Sequence, residues 1–145
     1  MKEQKRPGVG LALILMNSEK NEVLLGKRKN SHGDGTWAFP GGHLEKFECF
    51  AACLIREMLE ETSLFSGTNY KLIDPIPCAV TNDMFYKEDK HYITLYFRAK
   101  YINGEPKIME PDKLSAWNWV EWGKFPAPLF TCVGNLFRQN YNPFK

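Results

Sequence analysis

GGHLEKFECFAACLIREMLEETSL, residues 41 to 64, is the stretch that decides how this chain folds. Two glycines open it, and Arg56, Glu57, Glu60 and Glu61 crowd its second half. Read as a helix of about 3.6 residues per turn from roughly Phe47 to Thr62, it sets Phe47, Phe50, Ala51, Leu54 and Met58 on one apolar arc. That arc must face a core. Glu57 and Glu61 then lie one above the other, with Glu60 beside them, and their arc overlaps the edge of the apolar one. E-x-x-E-E ordinarily means a solvated helix face, but a solvated face lies opposite the apolar stripe. Stacked carboxylates repel by a few tenths of a kcal/mol per i,i+4 pair when exposed, and by more beside a low-dielectric core. A cation relieves that repulsion. Hard oxygen ligands suit Mg2+, with Mn2+ as a substitute, the remaining ligands being waters and substrate phosphates.

Upstream, TWAFPGGHL is a short strand broken by Pro40 and two glycines, where backbone approaches a ligand closely, so Gly41 and Gly42 are candidates for substrate contact. Residues 8 to 16, GVGLALILM, form a nearly continuous apolar run, as for a central strand buried on both faces. EVLLGKRK, residues 22 to 29, returns as its hairpin partner and ends in Lys27, Arg28 and Lys29. Arg28 is the candidate for phosphate, because a planar guanidinium grips two oxygens at once. NSHGDG, residues 30 to 35, is a turn-rich loop.

Downstream, Pro75 and Pro77 interrupt residues 70 to 86 and push them to a sheet edge, paired with HYITLYFRAKYI at 91 to 102 across the KEDK loop. His91 and Thr94 fall near the loop end, within reach of a substrate. The polar loop from 103 to 115 carries Glu105, Glu110 and Asp112, and a hydrolase needs a base within about 3 Å of its water. Glu110 or Asp112 is suited to that role, or is simply solvated. WNWVEW at 117 to 122 reads as a sheet edge packed on the last helix. That helix, from about Pro128 to Gln139, turns Leu129, Phe130, Val133, Leu136 and Phe137 inward. Phe130 at its start is placed to stack on a base, an interaction worth about 1 to 3 kcal/mol.

The chain of 145 residues is long enough for one domain, 1–145, with a core of its own. A hydrophobic fraction of 43%, a charged fraction of 25% and a net charge of +2 describe a soluble globular protein. No basic block argues for duplex nucleic acid or an anionic membrane, so the expected partner is a small molecule. Cys49, Cys53, Cys78 and Cys132 do not fall at zinc-ligand spacing and read as free thiols of a reducing compartment. MKEQKRPG carries no cleavage signal and no apolar run approaches about 20 residues, so a cytoplasmic location is expected.

Residues 42 to 64 resemble the Nudix box, G-x5-E-x7-R-E-U-x-E-E-x-G-U with U a bulky aliphatic residue. Gly42, Glu48, Arg56, Glu57, Met58, Glu60, Glu61 and Leu64 match in register, and Ser63 stands where the pattern has glycine. Ser63 puts the left-handed end of the helix in question, since glycine alone adopts positive φ freely. The resemblance implies an α/β fold, the Nudix α/β/α sandwich with a mixed central sheet between the box helix and a C-terminal helix. It implies Glu57 and Glu61 as principal Mg2+ ligands, Glu60 as an additional one, a backbone carbonyl from Gly41, and Arg56 orienting the carboxylates. Glu48, nine residues before Glu57, falls on about the opposite side of a continuous helix, so it is expected at the loop-to-helix junction, bonded to backbone or to Arg56.

Beyond the box, RPGVG (6–10), LLGKRK (24–29), FPGGHLE (39–45), EPDK (110–113), WNWVEW (117–122), PLF (128–130) and NPF (142–144) are similar to a subgroup of small cytosolic Nudix enzymes acting on nucleoside triphosphates. The implied reaction is Mg2+-dependent hydrolysis of a (deoxy)nucleoside triphosphate, a modified or oxidised purine such as 8-oxo-dGTP included, to the monophosphate and pyrophosphate. Glu57, Glu60, Glu61, Arg56 and Glu110 would carry it, with Arg28, Gly41, Gly42 and Phe130 binding substrate. An ADP-ribose-type, pterin triphosphate or prenyl diphosphate substrate is the alternative within the family, and a non-catalytic nucleotide binder the alternative outside it. Such proteins commonly form homodimers. Lys46-Phe47-Glu48 and Thr131-Cys132-Val133 depart from the subgroup at the implied base pocket and leave the preference among purines open.

Overall fold

Apolar side chains fill both faces of strand β1 (Gly8–Asn17), and each face needs its own cover. Leu11, Leu13 and Leu15 pack with Cys53, Leu54 and Met58 of helix α1 (Phe50–Thr62). Ala12, Ile14 and Met16 pack with Cys132, Val133 and Leu136, which belong to the last helix, α2 (Thr131–Phe137). A fully buried leucine or isoleucine contributes about 1.5–3 kcal/mol. The strand is therefore the seam between two cores. This is the α/β/α arrangement expected of the sequence, seen in a computed structural model that describes residues 5–145. Residues 1–4, part of the stretch read above for a cleavage signal, lie outside the described residues.

The remaining strands are β2 (Glu22–Arg28), β3 (Trp37–Ala38), β4 (Gly41–His43), β5 (Tyr70–Leu72), β6 (Ala79–Phe85), β7 (Lys90–Tyr101) and β8 (Leu114–Glu121). Among the described residues they make one mixed sheet of eight strands. β1 runs parallel to β7 from Gly8 to Met16, and β7 takes β5 and β6 antiparallel. β2 takes β8. β1 and β2 pair antiparallel at Met16 and Val23, then separate, and the gap between them is closed by β4 on β1 and β3 on β2. Pro40 sits between those two short strands, its carbonyl accepting the Leu13 N–H at 2.8 Å. Here the sheet splays and brings Gly41 against the helix.

The boundaries differ from expectation at both helices. α1 starts at Phe50, not near Phe47, because Phe47 adopts φ 66° and breaks the helical path. Its ring is 95% exposed and is no part of the apolar arc, whereas Leu54 and Met58 are buried as expected. α2 starts at Thr131, with Leu129 and Phe130 packed on the core from the segment before it. The tryptophans divide between faces. Trp117 and Trp119 of edge strand β8 pack on the α1 side, and Trp122, beyond its end, packs on the α2 side. Ser63 adopts the left-handed conformation, φ 64°, with its N–H on the Leu59 carbonyl. No helix among the described residues is long and apolar enough to cross a membrane.

Candidate active site

Arg56 organises the exposed side of α1. Its Nε donates to Glu48 Oε2 at 2.8 Å and its Nη2 to Glu48 Oε1 at 3.0 Å, a two-pronged grip. Glu48 also accepts the Glu45 N–H at 3.0 Å, so it sits at the loop-to-helix junction on both a backbone group and Arg56. Those hydrogen bonds pull its carboxyl down to about 2, and they push the guanidinium up. Arg56 Nη1 then donates to Glu57 Oε1 at 2.7 Å. Glu57 is thereby aimed by a cation that is itself anchored.

One turn later Glu61 Oε1 accepts the Gly41 N–H at 3.2 Å. Burial lifts the Glu61 carboxyl well above the usual glutamate range, the charge and hydrogen bond of Glu57 lift it further, and the Gly41 N–H opposes them. Two glycines make this approach sterically feasible. A Cβ on Gly41 would lie 2.0 Å from the Leu11 carbonyl oxygen, and one on Gly42 would lie 2.2 Å from the Glu57 carboxyl carbon. Both glycines are thus needed by the fold and by Glu57 themselves, a closer constraint than contact with a ligand.

Glu57, Glu61, Gly41, Arg28 and Glu110 line one cavity, with Lys113 facing them. Arg28 and Gly41 also line a second, adjoining cavity together with Gly42 and Phe130. The Arg28 guanidinium lies 4.2 Å from the Phe130 ring centroid, and its Nε donates to the His32 carbonyl at 2.8 Å. Burial pulls Arg28 down from the usual arginine range, and Glu61 is among the charges that oppose the shift. Glu110 pairs with Lys113 at 3.6 Å.

Glu60 is not brought into either cavity. It stands half-exposed with Oε2 3.6 Å from Arg56 Nη1, the nitrogen that also holds Glu57. Asp112 is exposed too, its backbone carbonyl accepting from Asn30. Sequence reasoning passed over His32, Phe85, Tyr92 and Lys90, which line the second cavity. His32 and Phe130 make edge contacts and Phe85 stands 5.4 Å from Phe130, a cluster drawn from three separate segments. The one local signal was His32 inside a glycine-rich turn.

Among the described residues, no group of three or more His, Cys, Asp or Glu lies close enough to enclose a metal ion. The donor set nevertheless fits a cation that keeps its waters. Two carboxylates, one of them buried against the other's charge, offer hard oxygens and an electrostatic strain that a divalent ion removes.

A carboxylate cavity under two glycines, sharing Arg28 and Lys113 with an adjoining aromatic cavity, fits an α/β enzyme that handles phosphates. The NUDIX domain pattern matches residues 5–137. An RNA pyrophosphohydrolase of Zymomonas mobilis is 28% identical over 97% of this chain and 94% of its own length. A Bacillus subtilis protein provisionally named 8-oxo-dGTP diphosphatase is 28% identical over 92% of this chain and 78% of its own. The crystal structure of a MutT NUDIX hydrolase from Burkholderia pseudomallei superposes with a TM-score of 0.76 at 25% identity, over 91% of this chain and 98% of that one. The chain belongs to the Nudix family and acts as a hydrolase of phosphoanhydride bonds.

Proposed function

We propose that this hydrolase is a Mg2+-dependent pyrophosphohydrolase that cleaves a (deoxy)nucleoside triphosphate, oxidised purines such as 8-oxo-dGTP included, to the monophosphate and pyrophosphate. The observation that carries the reading is the junction at Gly41, where the carboxylate cavity opens into the aromatic one with Arg28 common to both. The first cavity suits the phosphates and the second a base.

Nudix hydrolases generally use divalent metal ions. Bound here, Mg2+ supplies charge neutralisation on the phosphates and a water of lowered pKa. Glu57 and Glu61 would hold it through their carboxylate oxygens, with the Gly41 carbonyl as the further donor the family resemblance implies. Glu61 would hold it as the ionised carboxylate. Arg56 holds Glu57 in place from behind, anchored by Glu48. Glu60 would have to turn away from Arg56 to serve as an additional ligand. Arg28 grips phosphate oxygens, Phe130 stacks on the base, and Glu110 at the cavity wall takes the proton of the attacking water. A cytoplasmic location and a homodimer belong to the same reading, and four free cysteines are in keeping with a reducing compartment.

The relative named as an RNA pyrophosphohydrolase favours a second substrate, the triphosphate end of RNA. Both are tested with one panel, assayed with and without Mg2+: 8-oxo-dGTP, dGTP, dCTP, ADP-ribose, a prenyl diphosphate and a 5′-triphosphate RNA oligonucleotide. The expected result is Mg2+-dependent release of pyrophosphate with kcat/KM highest for a purine nucleoside triphosphate. Glu61→Gln should lower turnover by about a hundredfold or more with its circular dichroism unchanged. Near-normal turnover in that variant would overturn the assignment.

A further inference from the structure

The walls of the second cavity are aromatic, and stacking alone accepts any base, because every base has a π-face. Choice between bases must come from polar groups at the base edge. Of the polar side chains lining the cavity, Arg28, Lys90 and Lys113 only donate, while Ser31, His32, His43 and Tyr92 can donate or accept. Thr94 lines it too, and its polarity is set from behind by a network the reaction does not use.

Asp83 is fully buried and receives three hydrogen bonds, all as acceptor. Thr94 Oγ1 donates to its Oδ2 at 2.6 Å, Thr81 Oγ1 to the same oxygen at 3.0 Å, and Asn135 Nδ2 to Oδ1 at 2.9 Å. A hydroxyl has one hydrogen and two lone pairs. With its hydrogen committed to Asp83, Thr94 has only lone pairs left. Gly10 is its register partner on the neighbouring strand and also lines the cavity, and a Cβ there would stand in contact with the Thr94 hydroxyl, 3.7 Å away.

We propose that Thr94, oriented by Asp83, is a specificity-determining acceptor, so that the cavity selects a nucleobase presenting an N–H at this edge over an isostere presenting a bare ring nitrogen. The proposal rests on the second cavity being the base site. Asp83 is a positioning residue and Thr94 the contact. Asparagine at 83 keeps an oxygen for Asn135 but turns an NH2 towards Thr94, whose hydrogen is then released to the cavity. Thr81, within 2.9 Å of the Tyr96 hydroxyl, has that oxygen as an alternative acceptor.

The test measures binding of nucleoside monophosphates by calorimetry, in pairs that differ in this hydrogen and in the group on the adjoining carbon: 8-oxo-dGMP against dGMP at N7, and IMP against AMP at N1. The same pairs are then assayed as triphosphates. Wild type should prefer the N–H member of at least one pair. Thr94→Val should reduce that preference by about tenfold, mostly through KM, Thr94→Ser should keep it, and Asp83→Asn should shift it towards the bare-nitrogen member. Gly10→Ala, whose Cβ lies 3.7 Å from Thr94 Oγ1 and so fits without strain, should weaken binding of the preferred member. Base-selective binding without hydrolysis would sink the proposed reaction and leave this inference standing. Hydrolysis with every preference within twofold of wild type in Thr94→Val, or no base preference in the wild type, would overturn the inference. Should Asp83→Asn fail to fold, the Thr94 variants decide it.

Discussion

An alanine at 42 would press its Cβ on the Glu57 carboxylate, while one at 41 would press on the Leu11 backbone. The first obstacle is the end of a flexible side chain and the second is not. Gly42→Ala should therefore keep its melting temperature within a few degrees yet lose about a hundredfold in Mg2+-dependent turnover, because Glu57 is displaced from its aim. Gly41→Ala should lose about 2–3 kcal/mol of stability. Melts and turnover of both variants check the contrast, and equal stability losses would refute it. Glu61 gives a second expectation, for metal-free protein. Its folded pKa is raised, so well below the usual glutamate range folded and unfolded chains both carry the proton and nothing is gained or lost. As pH rises beyond that range the unfolded chain ionises first, and stability falls until the folded pKa is passed. Glu61→Gln should match wild type near pH 4 and melt higher than it near pH 8, read by thermal melts in chelator. The i,i+4 spacing put Glu57 and Glu61 on one helix face, the resemblance singled them out, and both line one cavity. Nothing local distinguished Glu60, because its direction depends on Arg56, and Arg56 depends on Glu48.

At the scale of the element, the start of α1 was misjudged for a physical reason. The apolar rhythm continues back to Phe47, but Glu48 receives the Glu45 N–H and Phe47 takes a left-handed turn, so the chain enters the helix only at Cys49. Hydrophobic period does not see such a turn. The exit shows the converse, for Ser63 keeps the left-handed geometry that glycine would adopt freely. A non-glycine residue there bears a strain of about 1 kcal/mol or more. Ser63→Gly should accordingly stabilise the protein by about 1 kcal/mol in urea unfolding, with turnover unchanged, and a destabilised variant would show that the Ser63 side chain contributes more than its backbone strain. The aromatic cavity was still less legible. Phe85 and Tyr92 come from the paired strands β6 and β7, and Phe130 from the segment leading into α2, which packs on β6.

For the whole molecule, the informative feature was already visible as GVGLALILM, a run with no polar face, and it became the strand on which both cores are hung. Trp117 and Trp119, two apart on β8, share the α1 core as strand alternation requires, and the odd offset to Trp122 carries it to the other core. Adjacent residues of β1 now test whether residues 5–145 behave as one cooperative unit. Leu13 points into the α1 core and Ile14 into the α2 core, and both are fully buried. Leu13→Ala and Ile14→Ala should each cost about 2–5 kcal/mol. If the two cores share one strand energetically as well as geometrically, each variant lowers the midpoint of a single urea transition followed by fluorescence and circular dichroism, with the slope m unchanged. A core able to unfold alone would instead separate the two probes in one variant, and would mean that the sheet does not transmit the loss from one face to the other.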